Sequence, residues 1–299
     1  MIVRNLRLLG LGLVFLATCA LASEKIESGD FALATQKAAE LAAKYKTSRV
    51  LVVYDIDNTL LAMDQDLGSD QWFNWQASKI ATGDLQDAVA SDFSGLLSAQ
   101  GKLYALSHMH TPEESTSALV AELQNQGFST VVFTSRGSDL RDSTMRELKR
   151  SGFDFSKTSI GPKLGYAGTY LPYQLESISD YGLSQEEIAK FKLGNPRPVS
   201  FMDGVFMGSG QHKGVMLRTL LWKAKKVKKR AYKAILFVDD GPKNTDAIQA
   251  AFENEGVDVV TIRYSREDDK VTRFQENDKT DVIQKWNDLH GVLTSVFGN

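Results

Sequence analysis

The chain has 299 residues, 42% hydrophobic and 24% charged, with 35 Lys and Arg against 37 Asp and Glu. That mix excludes a disordered chain, a collagen-like fibre and a multi-span membrane protein, and it lacks the basic excess expected of a nucleic-acid binder. A single cysteine excludes an intramolecular disulfide framework, and the length suffices for one large core carrying a sizeable insertion.

The first element in chain order is a leader. Arg4 and Arg7 precede an apolar run from Leu8 to Leu16, and Ala20-Leu21-Ala22 puts small residues at −3 and −1 before Ser23. This three-part pattern predicts a secretory signal peptide over residues 1–22. The apolar run is shorter than the roughly 20 residues of a bilayer span, so no transmembrane anchor is expected after cleavage. Thr18 directly before Cys19 fits a bacterial lipidation signal poorly. Cleavage after Ala22 removes the only cysteine, which suits an exported protein, periplasmic or secreted, because no thiol is left to mispair.

Beyond the leader, short apolar runs alternate with helical stretches. Phe31 to Tyr45 predicts a helix, and Val50 to Tyr54 (VLVVY) a strand. Pro112 to Gln126 opens with Pro-Glu-Glu and stops at Gly127, a helix signature. Thr130 to Phe133 predicts a strand, and Ser138 to Arg150 a helix ending at Gly152. Val199 to Phe201 and Val205 to Met207 flank Met202-Asp203-Gly204, which reads as a β-hairpin with a tight turn. A helix from Val215 to Trp222, a strand from Ile235 to Val238, a helix from Thr245 to Glu255 and a strand from Val257 to Ile262 follow. Asp281 to Phe297 predicts an amphipathic helix packing on the sheet. Continuous apolarity means strands buried on both faces, so the expected class is α/β, a Rossmann-like parallel sheet with helices on both faces. The expected core covers residues 23–61 and 127–299, with a β-hairpin insertion over about 161–210 and a mainly helical cap over 62–126.

In such sheets function gathers beyond the carboxyl ends of the strands. The first strand runs into Asp55-Ile56-Asp57-Asn58-Thr59, where two carboxylates two residues apart can face one crevice while Ile56 points away. One can attack phosphorus, and the other can protonate a leaving oxygen and then activate water. Two adjacent anions would repel a phosphate, so the site needs a divalent cation and a fixed positive side chain. The second strand ends in Thr134-Ser135-Arg136-Gly137, whose hydroxyl and backbone amides can hold a phosphate oxygen. Lys213 precedes an apolar helix and can offset phosphate and carboxylates together. Asp239 and Asp240 end the third long strand, where adjacent acids are costly unless a cation neutralises them. Each signal is modest alone; their order and shared placement at strand ends set them apart from coincidence.

Together these residues resemble the haloacid dehalogenase-like phosphohydrolase superfamily, through DIDNT at Asp55 to Thr59, VVFT ending in Thr134, HKG around Lys213, and FVDDGPKN around Asp239 and Asp240. The stretch from Asp55 to Leu61, followed by Leu67 to Phe73, is closer still to a secreted bacterial subgroup of uncharacterised function, and more distantly similar to periplasmic acid phosphatases. The resemblance implies a Mg²⁺-dependent phosphomonoester hydrolase acting on a small phosphorylated substrate. Asp55 would be nucleophile and metal ligand, and Asp57 general acid/base and metal ligand through its backbone carbonyl. Thr134, Ser135 and Lys213 would hold the phosphoryl group, and Asp240 would bind metal. Asp239 stands where many members have Gly, and Asn244 replaces a frequent second acid. Superfamily dehalogenases and phosphonate-cleaving members lack the second Asp, so Asp57 implies phosphate-ester hydrolysis or transfer. The alternative is a secreted binding or host-interaction factor that retains the fold with little catalysis.

Within the cap, Trp72, Phe73, Trp75 and Tyr104 are candidates for a pocket lining, with packing the commoner use of any one of them. Asp70 lies close behind the first motif. His108 and His110 fall short of a zinc set. Gly208-Ser209-Gly210 misses the dinucleotide and P-loop patterns, and the basic run from Lys223 to Lys233 reads as an exposed helix face.

Overall fold

Seven strands form the central sheet of the computed structural model, which describes residues 23–228 and 231–298. The leader predicted over residues 1–22 lies outside the described residues. The chain opens with β1 (Ser23–Ser28), α1 (Ala32–Tyr45) and β2 (Val50–Tyr54). A two-stranded ribbon of β3 (Ala62–Met63) and β4 (Met109–His110) encloses α2 (Asp70–Thr82) and α3 (Phe93–Leu106). Next come α4 (Thr116–Asn125), β5 (Ser129–Thr134), α5 (Arg141–Arg150), α6 (Gln185–Lys190), β6 (Ser200–Met202) and β7 (Val205–Met207). The chain finishes with α7 (Lys213–Lys228), β8 (Ala234–Asp239), α8 (Pro242–Phe252), β9 (Asp258–Tyr264), α9 (Asp268–Glu276) and α10 (Thr280–Phe297). Strand order is β1-β9-β8-β2-β5-β7-β6, parallel throughout except for the β6–β7 pair.

Every residue of β2, β5 and β8 is buried. Alternate residues serve opposite faces, as the two-residue period of a strand requires. Val50, Val52 and Tyr54 pack with Phe31, Ala34 and Ala38 on the α1 side, joined by Val120 and Leu123 of α4. Leu51 and Val53 pack with Val215, Leu217 and Leu220 of α7 and Ile248 of α8 on the other. Helices therefore cover both faces, and each such aliphatic chain contributes about 1.5–3 kcal/mol of burial.

Four features depart from the sequence reading. The hairpin of β6 and β7 is not an appendage, since β7 pairs in parallel with β5 and lengthens the sheet. Its two-residue turn uses Asp203 (φ 49°) and Gly204 (φ 78°), and a Cβ at Gly204 would come 2.4 Å from the Phe155 carbonyl. Pro112 to Glu114 precede α4 rather than start it, because Glu113 instead accepts the Phe31 N–H at 2.8 Å and the Tyr264 hydroxyl at 2.6 Å. α4 lies against α1 on the sheet, while α2 and α3 stand off it. The C-terminal helix, expected on the sheet, packs on α2 instead: Val282 and Trp286 of α10 and Phe274 of α9 share a third core with Leu67, Trp72, Leu96 and Leu103. β1 is an unforeseen edge strand beside β9. No helix among the described residues is long and apolar enough to cross a membrane.

Candidate active site

β8, β2 and β5 are adjacent and parallel, so their carboxyl ends bring Asp239, Asp55 and Thr134 to one edge of the sheet. After β2 the chain turns tightly: the Ile56 carbonyl accepts the N–H groups of Thr59, Leu60 and Leu61 at 3.0, 2.9 and 2.9 Å. Asn58 adopts φ 54° within this turn. Ile56 is fully buried, and the carboxylates on either side of it reach the crevice.

Lys213, the first residue of α7, links two strand ends. Its Nζ lies 2.7 Å from Asp55 Oδ1 and 2.6 Å from Asp239 Oδ2, with the side chain 2% exposed. Asp239 Oδ1 accepts the Gly241 N–H at 2.8 Å and Asn244 Nδ2 at 2.9 Å. Asn244, standing where a second acid is frequent in the resembling superfamily, thus holds Asp239 in place. The Asp240 N–H donates to Thr59 Oγ1 at 3.0 Å, and its carboxylate accepts Asn58 Nδ2 at 3.3 Å. The first and fourth motifs are therefore stitched directly together.

Carboxylate oxygens of Asp55, Asp239 and Asp240 lie within 4.8 Å of one another. Burial pushes Asp55 up to about 8, opposed by the Lys213 ammonium and reinforced by the Asp239 and Asp57 charges. Burial, then the Asp239 and Asp55 charges, raise Asp240 well above the usual carboxylate range. Burial disfavours the Lys213 ammonium, but the Asp239 and Asp55 carboxylates outweigh it and hold the group above the ordinary lysine value. Asp70, at the start of α2, feels the same field: burial and the Asp57 charge push it up to about 7. A close set of oxygen donors with surplus negative charge is what a hard divalent cation such as Mg²⁺ takes, so the residues present fit that ion.

Asp57 is held differently. Arg136 Nε donates to its Oδ2 at 3.0 Å, Arg136 Nη2 to its Oδ1 at 2.7 Å, and the Tyr104 hydroxyl to Oδ1 at 3.2 Å. Thr134 is fully buried, and its Oγ1 accepts the Arg136 N–H at 3.1 Å. Ser135 is exposed at the rim. The glycine-rich turn clasps this strand end: the N–H groups of Gly208, Ser209 and Gly210 donate to the carbonyls of Thr134, Arg136 and Ser135 at 2.9, 3.2 and 2.7 Å. A Cβ at Gly208 would meet the Phe133 ring at 2.7 Å.

Of the cap aromatics only Tyr104 joins the site. Trp72 packs against Trp286, Trp75 against Phe274, and Phe73 against Phe93. His110 Nδ1 pairs with Asp64 at 2.7 Å, and His108 is exposed. Lys223 and Lys226, in the basic run, lie over the rings of Tyr166, Tyr170 and Trp222. Arg136 is the residue whose role sequence reasoning missed; its position beside the strand-end Thr134 was the one signal that could have found it.

No curated protein matches the chain. Residues 34–296 match the family described as "Protein of unknown function (DUF2608)", and the chain belongs to that family.

Proposed function

We propose that the protein is an exported phosphomonoester hydrolase of the haloacid dehalogenase-like type, working through an aspartyl-phosphate on Asp55. The observation that carries this reading is the convergence of Asp55, Lys213, Asp239 and Asp240 at adjacent strand ends, with two acids on one buried ammonium and a third within 4.8 Å of those acids. An Asp55 oxygen attacks phosphorus, the bond from phosphorus to the ester oxygen breaks, and that oxygen takes a proton from Asp57. Water then gives a proton back to Asp57 and attacks phosphorus, the Asp55–phosphorus linkage breaks, and inorganic phosphate leaves. Lys213 offsets the charge of the transferring group, and the Thr134 hydroxyl donates to one of its oxygens.

Asp55 and Asp240, with Asp239 beside them, would hold Mg²⁺. Its chemistry there is to neutralise charge between the carboxylates and the phosphoryl oxygens. Asn244, standing where the resembling superfamily often has an acid, serves Asp239 instead of supplying a further carboxylate. The substrate class is a small phosphate ester.

The test is hydrolysis of an aryl phosphate by purified protein in Mg²⁺ buffer, with Asp55→Asn as control. Turnover in the wild type and none in the folded variant is expected. Equal turnover in both removes Asp55 as nucleophile. A folded wild type that binds Mg²⁺ yet hydrolyses nothing across a broad phosphate panel favours the binding-factor alternative.

A further inference from the structure

Asp57 occupies an unusual position for a residue that must pass protons, because a guanidinium and a phenol engage both of its oxygens. The Arg136 guanidinium is itself braced on three sides. Nη1 donates to Thr144 Oγ1 at 2.9 Å, the Tyr104 ring lies 4.1 Å from Cζ, and Nη2 approaches Met109 Sδ at 3.5 Å. Arg136 is 6% exposed and Thr144 fully buried. A planar guanidinium contacted on a face and at its far nitrogen has little freedom to swing, so it fixes the plane of the carboxylate it grips.

Tyr104 is fixed by the same helix. Arg146 of α5 donates to the carbonyls of Tyr104 and Ala105 at 2.7 Å each and of Ser107 at 3.0 Å. These carbonyls lie at the C-terminal end of α3, where a cation and donor are most favourable. The next residue, buried Glu147, accepts the Met109 N–H at 2.8 Å and is paired to Arg146 and Arg150, and Arg150 also donates to the Met109 carbonyl. One short helix thus presents Thr144 to Arg136, and Arg146, Glu147 and Arg150 to the segment that carries Tyr104.

We propose that Arg136 and Tyr104 are positioning residues for Asp57, both set in place by α5. The inference rests on the phosphohydrolase reading, and it gives that reading a second layer: the geometry of Asp57 is set by the 104–109 segment together with α5, not by its own strand-end turn alone. Coupling of this kind is reciprocal, so altering the Asp57 end must loosen the Tyr104 end.

Three variants test it: Tyr104→Phe, which removes only the hydroxyl; Arg136→Lys, which keeps the charge and loses the fork; and Thr144→Val, which touches neither Asp57 nor substrate. Each is assayed for aryl-phosphate hydrolysis, with thermal melting to confirm folding. A placed acid/base contributes on the order of 100- to 10,000-fold. Arg136→Lys is expected to lower kcat about 100-fold and the other two about 10-fold, with KM changed by less than about twofold. With an active wild type the kinetics decide. Unchanged kcat in Arg136→Lys overturns the proposal, as does a loss confined to KM, which would make the guanidinium a substrate contact. Amide hydrogen exchange over the last turn of α3 gives a readout independent of turnover. Should the wild type prove inactive, the phosphohydrolase reading fails by itself, and exchange decides: faster exchange in Asp57→Asn and Arg136→Lys upholds the coupling, and wild-type exchange in both overturns it.

Discussion

Replacing Lys213 with methionine tests the electrostatic design of the site most directly. Methionine roughly refills the volume, so little cavity cost is added, and what is lost is the ammonium 2.7 Å from Asp55 and 2.6 Å from Asp239. At an effective dielectric constant of about 20, unit charges at such a separation attract by about 6 kcal/mol. Desolvation of all three groups offsets much of that, and breaking one partner out of a buried ion pair costs about 3–5 kcal/mol. The metal-free variant should therefore lose about 3–5 kcal/mol in urea unfolding with chelator present. Mg²⁺ should return part of the loss, because it supplies positive charge to the same carboxylates. Acid should also narrow the gap, since the acids left behind can then neutralise themselves by protonation. A loss under about 1 kcal/mol, the scale of a solvated surface pair, and indifferent to Mg²⁺, would show that these charges do not face one another in a dry site.

The same acids set a pH dependence. Asp55 and Asp70 are raised to about 8 and about 7, so the metal-free native state keeps protons that the unfolded chain releases above its ordinary carboxylate values. The contribution of these groups to stability is then lost as pH rises from about 4 towards 8. Melting should show a falling temperature over that window and a larger Mg²⁺-induced rise at its alkaline end; a midpoint that climbs with pH contradicts the assignment. Trp286→Ala removes the α10 side chain packed on Trp72 and should cost about 3–5 kcal/mol, with faster proteolysis between α2 and α3; an unchanged melting temperature would mean the third core contributes little. Gly208→Ala drives a Cβ to 2.7 Å from the Phe133 ring and should shift the strand end carrying Thr134, lowering phosphate hydrolysis more than stability; wild-type turnover would show that the strand end and its neighbouring turn yield at no cost.

The sequence declared whatever is built from buried apolar runs. β2, β5, β8 and β9 are continuous apolar segments because both of their faces are covered, and the acids and hydroxyl that end them were legible by position alone. β1 was not: its sequence SEKIES shows exposed and half-buried residues in alternation, and it is a strand only because β9 offers an open edge. The partner of α10 was also hidden. Its Val282 and Trp286 announce an apolar face at helical spacing, but nothing local distinguishes a sheet from the aromatic face of α2 as the surface it covers. Arg136 was concealed for a third reason. Its partners Asp57, Tyr104 and Thr144 come from three separate elements, and only the folded chain brings them to one guanidinium.

The division of charge at this edge of the sheet bears on whether the site is retained for chemistry. Two cations split the acids between them: Lys213 takes Asp55 and Asp239, and Arg136 takes Asp57. Among the described residues neither Asp70 nor Asp240 has an ion-pair partner, and both are raised by burial and by the charges around them. A protein using this fold only as a binding scaffold would gain stability by exchanging either for asparagine, since such substitutions are readily reached and most proteins lie just above the stability they need. The acids are instead held at adjacent strand ends by dedicated partners: Asn58 donates to the Asp240 carboxylate, Thr59 accepts the Asp240 N–H, and Asn244 donates to Asp239. Local rules broken at one place, with their cost offset by an ordered set of hydrogen bonds, favour the proposed catalytic reading over the binding-factor alternative.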